Sequence, residues 1–155
     1  MYFKRIQGGP SMTKKVLAAY DGSILSNEAI QEAKKQASLF PETEVHIFTV
    51  IESTGPTTNA AISRNITKEV SEKMLPQMEK IKQEFMEASI PVVTEVRFAD
   101  IGDNPGKIIC EYADNKGIDL IIAGSRGLGN IKSILLGSVS NHIVQNAKCR
   151  VLIVK

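Results

Sequence analysis

The sequence predicts an α/β fold: an open, five-stranded, parallel, doubly wound sheet with four helices. Three observations carry this. Short apolar runs of strand length alternate with segments of helical period from Lys15 to Lys155. Such alternation builds a parallel sheet through right-handed crossovers. A glycine-rich stretch, Gly124 to Ser140 (GSRGLGNIKSILLGSVS), directly follows the fourth apolar run. That is where an open α/β sheet binds its ligands, beyond the C-terminal ends of the strands.

Taken in order, Lys15 to Tyr20 forms the first strand, short and apolar, and Asp21-Gly22-Ser23 turns out of it. Ser23 or Ser26 can cap the next helix. On that helix Leu25, Ala29, Ala33 and Ala37 recur every four residues with Ile30 alongside, a narrow face suited to close packing on a sheet. Pro41 stops it. Val45 to Ile51 is the second strand, and Glu52 to Asn59 a loop centred on Gly55-Pro56. A helical period returns at Ile62, Ile66, Val70, Met74, Met78, Ile81 and Phe85. Pro76 falls inside it, which predicts a kink or break near Lys73 to Pro76. The methionines read as core filler. Pro91 to Phe98 is the third strand, and its alternation marks an edge. Asn104 caps the next helix, Pro105 suits its first position and Gly117 ends it. Ile118 to Ala123 is a short, doubly buried fourth strand.

The glycine stretch carries the chemistry. Gly124, Gly127 and Gly137 stand at Gly-x2-Gly-x9-Gly-Ser spacing, with Ser138 last. A glycine at a strand end lets backbone approach a ligand closely. Ser138 is expected to cap a helix over Val139 to Asn146. Free N–H groups and the dipole at such an N-terminus suit phosphate. Strand, glycine loop and helix together outline a nucleotide phosphate site. Arg126 and Lys132, in or beside the loop, can neutralise phosphate charge. No Gly-Lys-Ser/Thr closes the loop, so it is not a Walker motif. Nor is it the dinucleotide Gly-x-Gly-x-x-Gly fingerprint.

This spacing resembles the nucleotide-binding motif of the universal stress protein family, of the kind that binds ATP. Val16-Leu17-Ala18-Ala19-Tyr20-Asp21-Gly22-Ser23 is similar to the family's opening strand and turn. Asp119 to Gly124 resembles its fourth strand, and Val151-Leu152-Ile153-Val154 its closing strand. The resemblance implies the strand order 3-2-1-4-5, with Asp21 facing the glycine loop across the crevice. It implies Asp21 at the nucleoside end of the ligand, although stabilising its own turn is an equal role. It implies the Val50 backbone at adenine, and Gly124 and Gly127 along ribose and phosphates. Gly137, Ser138 and Val139 would offer N–H groups, the Ser138 hydroxyl would help, and Ser140 would add a donor. ATP would carry its own Mg²⁺ or Mn²⁺, completed by waters. The resemblance also implies a homodimer in which two closing strands pair antiparallel. One departure stands out: Cys149-Arg150-Val151 replaces the family's frequent Cys-Pro-Val.

Composition narrows the rest. The chain has 155 residues and a net charge of +2, enough for one domain with a sizeable core and too little charge to draw nucleic acid. No apolar run reaches a membrane span of roughly 20 residues, and no signal core appears, so a cytoplasmic protein without a membrane partner is expected. Cys110 and Cys149 read as reduced thiols, and His46 and His142 as structural. No metal-ligand cluster and no catalytic residue is evident. Residues 1–11 (MYFKRIQGGPS) precede a second methionine and end as a linker. They are set aside as a cloning remnant or disordered arm, leaving 12–155 as the domain. The leading function is a stress-response or signalling module whose bound nucleotide regulates an unidentified protein partner. The alternatives are a slow ATPase or adenylyl-transfer enzyme, and a ligand-free interaction module. The enzyme reading needs a Ser-Gly-Gly-x-Asp-Ser loop after strand one, which Asp21-Gly22-Ser23 does not supply.

Overall fold

The computed structural model describes residues 3–4, 14–53, 60–127 and 136–155. The elements are β1 (Phe3–Lys4), β2 (Lys15–Ala19), α1 (Ile24–Leu39), β3 (Glu44–Glu52), α2 (Ala60–Glu87), β4 (Val92–Ala99), α3 (Pro105–Lys116), β5 (Leu120–Gly124), α4 (Ser138–Asn146) and β6 (Arg150–Val154). Five parallel strands stand in the order β4-β3-β2-β5-β6, which is the expected 3-2-1-4-5. Central β2 pairs Leu17 with both His46 and Ile121. Successive strands step one way from β2 to β4, then cross back to β5, so the switch in strand order lies between β2 and β5.

Strand alternation sorts the core into two layers. Val16, Ala18 and Tyr20 pack with Ala29, Ile30 and Ala33 of α1 and with Met78, Ile81 and Phe85 of α2. Leu17 points the other way, into a layer with Ile109, Tyr112 and Ala113 of α3 and Ile143 of α4. Both faces of β2 are therefore buried, which is why its sequence is continuously apolar. Met78 is core filler as expected, whereas Met86 is exposed. No helix among the described residues is long and apolar enough to cross a membrane.

Two expectations need correcting. Pro76 does not break its helix: α2 runs from Ala60 to Glu87 with Pro76 inside it. Pro76 and Glu72 are both exposed, so the carbonyl that the missing N–H would have met can turn to water. The arm is not wholly outside the fold either. Phe3 and Lys4 form a two-residue antiparallel strand opposite Leu152 and Val151. The outer backbone groups of β6, left without a neighbour strand, offer a ladder that any nearby extended segment can join. The Gly55-Pro56 loop and Lys132 lie outside the described residues.

Candidate functional site

The crevice between β2 and β5 is built from two turns. At the end of β2, Asp21 Oδ1 accepts the Ser23 N–H at 2.9 Å. Gly22 sits at φ +82°, a left-handed conformation that a side chain resists. Ser23 then caps α1 by accepting the Ser26 N–H at 3.2 Å. The second Asp21 oxygen points across the crevice. A Cβ placed on Gly127 would lie 2.5 Å from Asp21 Oδ2. The expected confrontation of Asp21 with the glycine loop is thus present, and Asp21 also holds its own turn. Behind it the Tyr20 hydroxyl donates to Gln77 Oε1 at 3.1 Å. Burial, with Asp21 adding, pushes that hydroxyl up and keeps it protonated.

The glycine stretch is closed by Ser125, a residue the sequence did not flag. Its carbonyl accepts both the Gly137 N–H and the Ser140 hydroxyl, each at 2.8 Å. Its own N–H donates to Val154 at 2.7 Å, extending the β5–β6 ladder by one step. One buried residue therefore ties the two ends of the loop together and to the closing strand. No sequence signal distinguishes such a serine from any other loop serine.

Two assignments are revised. Ser140 is buried and its hydroxyl is directed at Ser125 and at the Gly137 carbonyl, so that side chain is a loop fastener rather than a ligand donor. The cap of α4 is Gly137, not Ser138, and it makes no side-chain cap bond. Ser138, Val139 and Ser140 then occupy the first helical turn, whose N–H groups have no acceptor within a helix. Gly124 has a packing reason of its own as well: a Cβ there would meet Leu25 Cβ at 2.8 Å, so α1 comes close. Gly137 faces only ordinary contacts from 3.6 Å outward. Arg126 is half-buried beside these groups. Val50, also half-buried, lies two residues past Phe48, the last β3 residue paired with β2, and is still paired with Arg97 of β4.

The other titratable groups lie outside this constellation. His46 is buried, with ring nitrogens 2.8 Å from the Tyr112 hydroxyl and 2.7 Å from Glu44, a satisfied structural histidine. Burial pushes the Cys149 thiol up to about 11, which keeps it protonated and unreactive at neutral pH. Among the described residues no three His, Cys, Asp or Glu side chains gather as a metal site. An open groove of about 430 Å³ between α2 and β4 is lined by Leu75, Pro76, Met78, Glu79, Thr94 and Val96. It shares no residue with the crevice and offers a carboxylate rather than anion donors, so it is not the phosphate site.

The profile of the universal stress protein family matches residues 12–155. This chain belongs to that family. The match spans nearly the whole of this universal stress protein. Universal stress protein MJ0531 of Methanocaldococcus jannaschii is 30% identical over an alignment covering 97% of this chain and 86% of the relative. The solved structure of MJ0577 from the same organism superposes with a TM-score of 0.79 at 30% identity, covering 94% of this chain and 97% of that one. A universal stress protein family protein from Arabidopsis thaliana, solved with AMP bound, has a TM-score of 0.66 at 20% identity, covering 92% and 91%.

Proposed function

We propose that this universal stress protein binds an adenine nucleotide, with ATP as the leading ligand, in the β2–β5 crevice, and that the bound nucleotide regulates a protein partner. The observation that carries this reading is Asp21 Oδ2 set against Gly127, opposite an α4 whose first turn has no side-chain cap. A carboxylate at one end and free amides at the other match a ligand with a nucleoside and a phosphate end. The AMP bound by the Arabidopsis family protein supports the choice of base.

In this reading Asp21 and the Val50 backbone hold the nucleoside, and Gly124, Arg126 and Gly127 line its path to the phosphates. The N–H groups of Ser138, Val139 and Ser140 take the phosphates, with the Ser138 hydroxyl adding a donor and Gly137 leaving room. A divalent cation would ride on the phosphates, its coordination completed by waters. The protein works in the cytoplasm as a binding protein, and hydrolysis is slow or absent because no general base faces the phosphate end among the described residues. Mass spectrometry of nucleotide released from purified protein, followed by calorimetric titration with ATP, tests the reading. Binding of an adenine nucleotide is expected, and no affinity for ATP, ADP or AMP would reject it.

We also propose a homodimer formed by antiparallel pairing of two β6 strands about a two-fold axis. Phe3–Lys4 takes the same edge of β6 in one chain. One set of backbone groups cannot serve two strands, so the dimer forms with the arm displaced. Two residue pairs make a weak hold against a longer β6–β6 ladder. Removing residues 1–11 is therefore expected to raise the dimer fraction seen by light scattering at micromolar concentration. A monomeric 12–155 chain would reject the dimer. Equal dimer fractions with and without the arm would reject its displacement.

A further inference from the structure

We infer that the first turn of α3, through Asn104 and Gly106, positions the phosphate-facing amides of α4 and so sets phosphate affinity without touching the ligand. The inference rests on the nucleotide reading above and adds residues to it that lie outside the glycine motif.

The first turn of α4 needs outside support. The helix has nine residues and buries only Ser140 and Ile143, and its glycine cap supplies no side-chain bond. Ser125 holds it from one side. The start of α3 holds it from the other. A Cβ on Gly106 would lie 2.8 Å from the Val139 carbonyl oxygen and 2.9 Å from His142 Cβ. Both atoms belong to α4, and neither is the free end of a flexible side chain, so the two helices touch where nothing can yield locally. Asn104 spans the same junction. Its Oδ1 caps α3 by accepting the Gly106 N–H at 2.8 Å, and its Nδ2 reaches the Ser138 carbonyl at 3.5 Å. Ser138 and Val139, whose carbonyls meet α3, are the residues whose amides face the phosphates.

The unequal anchoring of the helices decides which one moves. α3 buries Ile109, Cys110, Tyr112 and Ala113 besides its first turn. A wedge at position 106 therefore shifts the lighter α4. Donors aimed at phosphate lose strength with distance and angle, so a shift of a few tenths of an ångström weakens several charge-assisted bonds together. Asp21, in the turn after β2, and Val50, on β3, stay in place. The nucleoside end is spared while the phosphate end is not.

The test is calorimetry with ATP and with adenosine on the full chain, Gly106→Ala and Asn104→Ser. Serine keeps the α3 cap but lacks the reach to Ser138, so it perturbs the junction without a clash. Gly106→Ala is expected to weaken ATP about tenfold and Asn104→Ser severalfold, with adenosine within about twofold of the parent for both. A merely structural defect would weaken both ligands alike, and that outcome overturns the inference. So does unchanged ATP affinity in both variants. A parent chain that binds neither ligand overturns the nucleotide reading itself, and this inference with it. A parent that binds both while the variants fail to separate them leaves the reading intact and removes only the positioning role.

Discussion

Gly127→Val is expected to weaken ATP binding by at least about tenfold, about 1.4 kcal/mol, in a protein that still unfolds cooperatively. The added Cβ would lie 2.5 Å from Asp21 Oδ2, well inside contact distance. The carboxylate must then leave the crevice or the loop must back away from it, and the two branches fill space the phosphates need. Gly127 is exposed and belongs to no helix or strand, so the fold loses little. The other two glycines of the motif serve as internal comparisons. Gly124→Ala drives a Cβ against Leu25 at 2.8 Å, a defect of packing that lowers stability first. Gly137→Ala meets only contacts from 3.6 Å outward and is the mildest of the three. Calorimetric titration with a parallel melting curve reads all of this. Parent-like ATP affinity in Gly127→Val would remove the crevice from consideration as the binding site.

The largest stability effect is expected at Phe85. Its side chain is fully buried in the layer between the sheet and helices α1 and α2, among Ile30, Ile81 and Ile90. Its carbonyl also accepts the Ile90 N–H at 2.9 Å, where the chain leaves α2 for β4. Phe85→Ala should cost about 3–5 kcal/mol, because the lost burial is joined by a cavity that its neighbours only partly fill. A domain of this size is stable by about 5–15 kcal/mol in all, so the urea midpoint should fall steeply. Met86, the next residue, is exposed, and Met86→Ala should change stability by no more than about 0.5 kcal/mol. A Phe85→Ala loss below about 1 kcal/mol would mean that the core at the end of α2 is not packed as described.

Much of the fold was legible because periodicity reports burial. Val16 to Tyr20 reads as continuously apolar since α1 and α2 cover one face and α3 and α4 the other. The alternation in β4 reports its place at an edge. The family resemblance placed Asp21 opposite the glycine loop, and Asp21 does face Gly127. Pro76 misled because a local rule was applied without knowing that its side of α2 faces water. The arm misled because composition describes a segment alone, whereas an open strand edge recruits whatever extended backbone can reach it.

By itself, then, the sequence determined the five parallel strands and four helices, their succession along the chain, and which loop carries the glycines, since all of these follow from short-range pattern and from burial of one or two faces. Only the tertiary structure decided what each motif residue does. Gly124 clears α1, Gly127 clears Asp21, the Ser140 hydroxyl fastens the loop to Ser125, and α4 is steadied by Asn104 and Gly106. Those roles depend on contacts between residues far apart in the chain. A packed interior sets such contacts to within a few tenths of an ångström, a precision that no one-dimensional spacing encodes.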